Sequence, residues 1–254
     1  NPWYADWYAA GQAQVGTYLA ALKQMLTDEG FAPPQALHFT NDSPFALLLG
    51  DVLLRNVLVH DGTIKNPIGV AGLDLYPKQF TTNDHLQDQP FQADYFTRLY
   101  DQLGDLATGP QDCADAAELQ GGFYKYPLLG HPKVAAQATD QLLARTIGRG
   151  LKGGSFYVIR DGLNADDSAY DYLAAIAADG STTPRYAVMQ RWGQMLASEG
   201  KALLQATEQV DAIAVLTNGR HAAPQGGLLD DLQRLYTIED PALFGWLVHA
   251  GFNP

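Results

Sequence analysis

Short apolar strands and amphipathic helices alternate along most of this chain. Five segments have apolar residues at helical spacing: 18–26, 45–54, 91–106, 133–150 and 185–207. Four short apolar runs between them predict strands: 36–40, 70–77, 114–119 and 154–160. Alternation of this kind builds a parallel sheet with helices packed outside it. We therefore expect an α/β fold, either a closed barrel of parallel strands or an open sheet.

Polar or aromatic side chains stand at the end of each predicted strand. They are Asn41 and Asp42, Tyr76, Glu118, and Arg160 with Asn164. The carboxyl ends of parallel strands meet at one rim, where barrels and open sheets bind their ligands. No glycine-rich phosphate loop follows the first strand, so the sequence disfavours a nucleotide-binding sheet. The order of elements and the strand ends together favour a (β/α)8 barrel with a site at this rim.

The strand that ends at Glu118 is the centre of the predicted site. Small residues from Ala114 onward lead up to this carboxylate, and Gly121 and Gly122 follow soon after it. A carboxylate at a strand end can leave the packed core and face a cleft, while glycines let the backbone turn sharply and approach a ligand closely. Taken alone, the same residues also fit an acid at a helix N-terminus or on the surface. The polar ends of the other three strands favour the catalytic interpretation.

The composition indicates a soluble protein with a neutral ligand. The net charge of −12 and the pI near 4.7 argue against nucleic acid or an anionic membrane as a partner. A single cysteine, Cys113, excludes an internal disulfide, and the six histidines lack metal-ligand spacing, so we expect no metal and no cofactor. No apolar run approaches the roughly eighteen residues of a membrane span. The chain opens at Asn1 without an initiator methionine or a signal peptide, and the sequence indicates no compartment.

Four segments, taken in order, resemble the β-galactosidases of glycoside hydrolase family 35. Residues 117–122 are similar to the family's nucleophile segment, Pro-Glu-Phe-Gln-Gly-Gly. The helix at 18–26 and residues 39–42 resemble the family's helix and its strand end Phe-Thr-Asn-Asp. Residues 72–77 resemble the sixth strand, which places a tyrosine near the reacting sugar, and residues 168–186 resemble the run Ser-Tyr-Asp-Tyr-Gly-Ala-Pro to Thr-Pro-Lys-Tyr after the eighth strand. The resemblance covers roughly residues 14–196.

The resemblance implies strands five to eight of a catalytic barrel, with Glu118 as the nucleophile of a retaining glycosidase. Its substrate would be a β-galactoside or a related oligosaccharide. The candidate substrate-binding residues are Asn41, Asp42, Tyr76, Tyr157, Arg160 and Asn164. Tyr76 either positions the nucleophile through its hydroxyl or only packs at its strand end. Turn-forming or surface roles are the alternative for Asn41, Arg160 and Asn164.

The sequence departs from the family pattern at two places that bear on catalysis. Ala117 replaces the proline before the nucleophile. The family also carries its acid/base glutamate in an Asn-Glu pair that ends the fourth strand, and no such pair precedes the helix at 18–26. Because half a barrel exposes two strand edges, we expect a second chain or another segment to supply the missing half. A non-catalytic carbohydrate-binding or scaffold protein is the rival interpretation.

The pattern of elements restarts after the last long helix. Residues 210–216 predict a buried strand, and 228–235 and 241–250 predict helices. We therefore expect residues 1–207 to be the barrel half and 208–254 to begin a second α/β domain. This restart is similar to the flavodoxin-like domain that follows the barrel in the related family 42, so either family fits.

Overall fold

The computed structural model describes one long stretch and several shorter segments of the chain. These are residues 38–42, 70–76, 114–122, 134–206, 209–213 and 240–254, with 24–31, scattered positions from 10 to 22, and positions 94, 97 and 98. At 38–42, 70–73, 114, 117 and 240–242 only the backbone is described. The predicted helices at 45–54 and 228–235 lie outside the described residues. Positions described within 18–26 and 91–106 are helical.

Four parallel strands form the central sheet. They are β1 (His38–Asp42), β2 (Val70–Leu75), β3 (Ala114–Gln120) and β4 (Leu151–Tyr157). The strands lie side by side in chain order, β1-β2-β3-β4, and each pairs with its neighbour in parallel. Parallel neighbours in sequential order are the arrangement of a (β/α)8 barrel wall.

The position of β4 differs from the prediction by three residues. The sequence predicts a strand over 154–160, whereas the structure has Leu151–Tyr157. Gly153 stands in register with Asp115 of β3, and a Cβ at Gly153 would lie 2.5 Å from a carboxylate oxygen of Asp115. Gly153, which the predicted strand leaves out, is inside β4, and the neighbouring carboxylate occupies the space that a side chain would need there.

Three helices have defined bounds: α1 (Ala136–Gly148), α2 (Pro184–Gln205) and α3 (Asp240–His249). Proline at the first position of α2 suits a helix start because its missing N–H has no intrahelical partner there. Gly150, at φ 98°, lets the chain reverse direction between α1 and β4. No helix in the described part of the chain is long and apolar enough to cross a membrane.

The two faces of the sheet differ in polarity. Leu75, Ala116 and Leu119 are at most 4% exposed, and they form part of the apolar core. Leu75 and Leu119 are partners in register, while Asp74 is the register partner of Glu118. Since successive residues of a strand point to opposite faces, the carboxylates share the face opposite the leucines. This polar face carries the candidate site.

The segment after residue 208 contacts the chain terminus rather than starting a strand. Residues 210–213 are mostly exposed and are not in a strand, contrary to the prediction, and 214–216 lie outside the described residues. The backbone N–H of Asp211 donates to the carbonyl of Asn253, and the Asp211 carboxylate accepts from the Asn253 N–H at 2.7 Å. These hydrogen bonds satisfy groups that a sheet would otherwise pair. The domain boundary near 208 stays a prediction.

Candidate active site

A β-bulge in β3 orients the candidate nucleophile. Leu73 pairs with Ala116, but the next residue, Asp74, pairs with Glu118, so Ala117 is an extra residue. Pairing with β4 shifts over the same stretch of β3, between Ala116 and Leu119, which places the irregularity in β3 itself. Bulges redirect side chains and are frequent beside active sites. This bulge puts Glu118 on the face that carries Asp74.

Tyr76 donates a hydrogen bond to Glu118. Its hydroxyl lies 2.5 Å from Oε2 of the half-buried Glu118 carboxylate. Tyr76 follows directly after the end of β2, two residues beyond Asp74, and so it shares the face of Asp74 and Glu118. A hydroxyl that donates to a carboxylate oxygen fixes the orientation of the carboxylate. The sequence predicts both residues at this rim, and the structure joins them directly.

Further polar residues of β2 and β3 occupy the same face below and beside Glu118. Asp74 is 6% exposed, Gln120 is 1% exposed, and Asp115 is half-buried. Gln120 is the register partner of Tyr157 in β4. The peptide N–H of Gly121 donates to the Tyr157 carbonyl at 3.0 Å, which extends the pairing just beyond β3. The sheet therefore brings Tyr157 next to the strand that carries Glu118.

Three tyrosines form a cluster beside the carboxylate. The hydroxyls of Tyr157 and Tyr170 are hydrogen-bonded, the rings of Tyr170 and Tyr172 are stacked with centroids 4.6 Å apart, and Tyr157 meets Tyr172 edge-on at 5.4 Å. Burial is the main cause that raises the pKa of Tyr170, with smaller contributions from Tyr157 and from the negative charge of Glu118. Burial likewise raises the pKa of Tyr172. Tyr170 thus lies within electrostatic reach of the nucleophile candidate, and Tyr170 and Tyr172 keep their protons at neutral pH.

The glycine pair after β3 allows close packing of protein backbone. A Cβ at Gly121 would lie 2.5 Å from the carbonyl oxygen of Val158, and one at Gly122 would overlap the carbonyl oxygen of Tyr172. Both positions are buried. The sequence predicts close approach at this pair. In the structure, the groups that approach it are the main chain after β4 and the main chain of the tyrosine cluster.

Two predicted substrate-binding residues hydrogen-bond within their own loop. Arg160 is exposed and donates to the Ala178 carbonyl at 3.4 Å. Asn164 follows β5 (Gly162–Leu163), which pairs with β6 (Ala169–Tyr170), and its amide donates to the Ser168 hydroxyl at 2.9 Å. The Asn164 bond is that of a turn-forming residue, whereas the Arg160 bond joins two distant parts of the segment between β4 and α2. A role in substrate binding stays a prediction for both.

The other two predicted residues end β1. Residue 42 is the register partner of Asp74, and residue 41 is the partner of Leu73. Asp42, Asp74 and Glu118 therefore form one row of Cα partners across three strands. The side chains of Asn41 and Asp42 lie outside the described residues, so their roles stay predictions.

The site region also contains Asp161, Tyr170 and Arg185, and none of them was predicted as a site residue. Asp161 is 9% exposed and accepts from the N–H groups of Tyr172 and Ala174. A signal was present, since Tyr170, Tyr172 and Arg185 all lie within the family-like run at 168–186. Spacing alone does not show that this run folds back on β3.

Comparison with known proteins identifies the fold. No protein-family model and no curated protein matches the sequence. Among solved structures, a β-galactosidase from the psychrophilic Marinomonas ef1 matches 76% of this chain at 14% identity, with a TM-score of 0.52. A GH5_18 variant from Bifidobacterium longum subsp. longum, crystallised with Manβ1-4GlcNAc, matches 95% at 12% identity, with a TM-score of 0.56. These matches show a TIM-barrel fold.

The chain corresponds to only part of these structures. It spans 29% of the length of the β-galactosidase and 52% of the length of the GH5_18 chain.

Within the described residues, no three histidine, cysteine or acidic side chains lie close enough together to hold a metal ion.

Proposed function

We propose that this chain forms part of the catalytic barrel of a retaining, β-galactosidase-like glycoside hydrolase, with Glu118 as the nucleophile. The observation that carries the proposal is the 2.5 Å hydrogen bond from Tyr76 to Glu118 at the carboxyl ends of parallel strands. Catalytic residues of TIM barrels come from these ends. The acidic charge of the chain fits a neutral substrate better than an anionic one.

A retaining glycosidase uses a carboxylate as nucleophile and a second carboxyl group as acid and then base, about 5–5.5 Å away. In the first step, a Glu118 oxygen forms a bond to the anomeric carbon while the bond to the leaving oxygen breaks. The acid residue gives its proton to that oxygen. Water, deprotonated by the same residue, then displaces Glu118 from the sugar. Tyr76 would hold the Glu118 carboxylate in position throughout both steps.

We further propose that the acid/base glutamate lies outside this chain. By the family resemblance, β1 to β4 are strands five to eight, and residues 208–254 begin a flavodoxin-like segment, in family 35 or in the related family 42. Within the described sheet, β1 and β4 are the outer strands, and each presents one edge. Open edges over a polar interior face need a covering partner, so a second chain or another segment would complete the barrel.

Covalent labelling of the native assembly tests the assignment of the nucleophile. A 2-deoxy-2-fluoro-β-galactoside with a dinitrophenolate leaving group needs no acid catalysis, because its leaving group departs unprotonated. We expect the peptide that contains Glu118 to gain the mass of the fluorosugar, with release of one dinitrophenolate per site. Glu118→Gln should not be labelled, while Glu199→Gln on the exposed part of α2 should be labelled like the wild type.

The alternative function is carbohydrate binding without catalysis, which the missing Asn-Glu pair favours. A protein of this kind would bind the sugar reversibly and would release no dinitrophenolate. Reversible binding without a covalent adduct at Glu118 would therefore replace the catalytic proposal by this one.

A further inference from the structure

We propose that Asp161 and Arg185 are positioning residues that hold the tyrosine segment 170–172 against the end of the Glu118 strand. The proposal rests on the proposed function insofar as it concerns substrate binding. Neither residue is among the predicted catalytic or substrate-binding residues. Their contacts reach Glu118 only through the backbone that they hold.

Arg185 joins two parts of the rim. It stands in the first turn of α2, is 5% exposed, and donates to the carbonyls of Gly121 and Leu173 and, at 2.9 Å, of Ala174. Gly121 directly extends β3, while Leu173 and Ala174 directly follow the tyrosine cluster. One guanidinium thus joins the nucleophile strand to the tyrosine segment through main-chain oxygens.

Asp161 binds the same segment through its backbone N–H groups. Its carboxylate accepts from the N–H of Tyr172 at 2.8 Å and from the N–H of Ala174 at 3.1 Å. Arg185 donates to carbonyls of this segment, and Asp161 accepts from its N–H groups. The backbone on both sides of Leu173 is therefore fixed by a buried pair of opposite charges. Main-chain partners of this kind keep their places whatever side chains the segment carries.

The backbone conformation of Leu173 shows that the segment needs stabilising contacts of this kind. Leu173 has φ 51°, in the left-handed region that side chains other than glycine and asparagine seldom adopt. Strained backbone of this kind persists only where its surroundings impose it, and it clusters at functional sites. The Asp161 and Arg185 contacts on either side of Leu173 are those surroundings. Without them we expect the segment to relax and the tyrosines to leave Glu118.

The shape of the guanidinium matters as well as its charge. Burial lowers the pKa of Arg185 to about 10, partly offset by Asp161, so the side chain remains charged at neutral pH. Its planar fork presents five N–H donors, whereas a lysine ammonium presents three from a single nitrogen. A lysine would keep the charge and still fail to reach carbonyls from Gly121 and Ala174 together.

A cavity beside Arg185 makes chemical rescue possible. It has a volume of about 570 Å³ and is bordered by Asp161, Leu173, Ala174, Pro184, Arg185 and Val134. Most of the bordering residues are apolar or small, and several come from the starts of α1 and α2. A methylguanidinium ion from solution is small enough to enter this space once the Arg185 side chain is removed.

The test uses Arg185→Ala in the native assembly, with Arg191→Ala as the matched control. Arg191 stands on the same helix, and its side chain is 62% exposed. For Arg185→Ala we expect amide hydrogen exchange in peptide 168–176 to accelerate about tenfold or more, which reports local release. We expect KM for an aryl β-galactoside to rise about tenfold, with a smaller change in kcat, which reports lost uniform binding. Methylguanidinium should reverse both changes, and Arg191→Ala should show neither.

Each outcome decides one of the two proposals. Wild-type exchange and wild-type KM in Arg185→Ala would overturn the positioning role. If the wild type neither labels at Glu118 nor turns over substrate, the proposed function fails, while the exchange data and their reversal by methylguanidinium still decide the positioning role. Should Arg185→Ala not fold, Arg185→Lys keeps the charge, and wild-type exchange and KM in that variant would equally overturn the proposal.

Discussion

Tyr76 and Glu118 meet because two neighbouring strands end together. Asp74 and Glu118 are register partners, and Tyr76 lies two residues beyond Asp74 on the same face. A strand-end tyrosine can therefore reach across to the carboxylate of the next strand without any loop rearrangement. The contact depends on strand register, and it belongs to the rigid part of the molecule.

Replacement of Tyr76 by phenylalanine should remove the hydroxyl and leave the ring in place. A charge-assisted hydrogen bond contributes about 1.5–3 kcal/mol, so we expect kcat/KM to fall roughly tenfold to a hundredfold. Kinetics with an aryl β-galactoside on the native assembly measure this change. Tyr186→Phe on α2 is the control, and an equal loss in both variants would contradict a specific role for Tyr76.

Gly122 should tolerate no side chain. A Cβ there would overlap the Tyr172 carbonyl, so the backbone of the cluster must move. We expect Gly122→Ala to lower the free energy of unfolding by about 2 kcal/mol or more, in the range of overpacked cores. Gly148→Ala at the end of α1 has open space around the new Cβ and should be neutral or stabilising by up to about 1 kcal/mol. Urea unfolding of both variants gives the comparison.

The sequence predicts those site residues whose positions follow from strand geometry. Glu118 and Tyr76 end strands, so alternation and register are enough to place them at one rim. The position of Tyr170 depends on a segment that folds back on β3 and is held there by Asp161 and Arg185. Both residues are distant from β3 in sequence. The same limit explains Arg160 and Asn164, because their hydrogen bonds depend on how the segment between β4 and α2 folds, and apolar periodicity does not report this.

At the scale of elements, the Asp140 carboxylate joins α1 to α2. Asp140 of α1 accepts hydrogen bonds from the indole N–H of Trp192 and the guanidinium of Arg191, each at 2.6 Å. The Trp192 hydrogen bond is the main cause that lowers the pKa of Asp140 below its ordinary value of 3.8. The helices themselves were predictable from period and composition, because α1 is rich in alanine and leucine.

The Asp140 contact should make stability depend on pH in the acid range. A carboxyl group with a lowered folded-state pKa stabilises the fold above its ordinary pKa near 3.8, and this contribution is lost as pH falls through the folded value. Asp140 is 44% exposed, so we expect only a few tenths of a kcal/mol. The midpoint temperature of thermal unfolding should fall more steeply between pH 6 and pH 2.5 for the wild type than for Asp140→Asn. Parallel curves would contradict the assignment.

On the scale of the whole molecule, the described sheet is a barrel wall with two outer strands. Neither β1 nor β4 has a second neighbour among the described strands. The lengths of the matched glycoside hydrolases exceed the length of this chain. The number of strands in a barrel is set by the requirement that the sheet close on itself, and no single segment of the sequence specifies that number.

Completion of the barrel predicts a larger native species. Native mass spectrometry of the purified protein should give a mass above the 27.6 kDa of this chain. Amides of β4 that face away from β3 should exchange slowly in that species, because a further strand would accept their hydrogen bonds. A single 27.6 kDa species with rapidly exchanging β4 amides would instead indicate an uncompleted barrel wall.

The extra residue in β3 determines which face of the sheet carries the glutamate. If β3 paired continuously with β2, Ala117 would be the partner of Asp74 and Glu118 the partner of Leu75. Glu118 would then lie on the face of the leucines and Leu119 on the polar face. Deletion of Ala117 would keep Glu118 opposite Asp74, so the glutamate would stay on the polar face. The unchanged sequence therefore has two possible registers, and only the bulged one directs the carboxylate to the polar face.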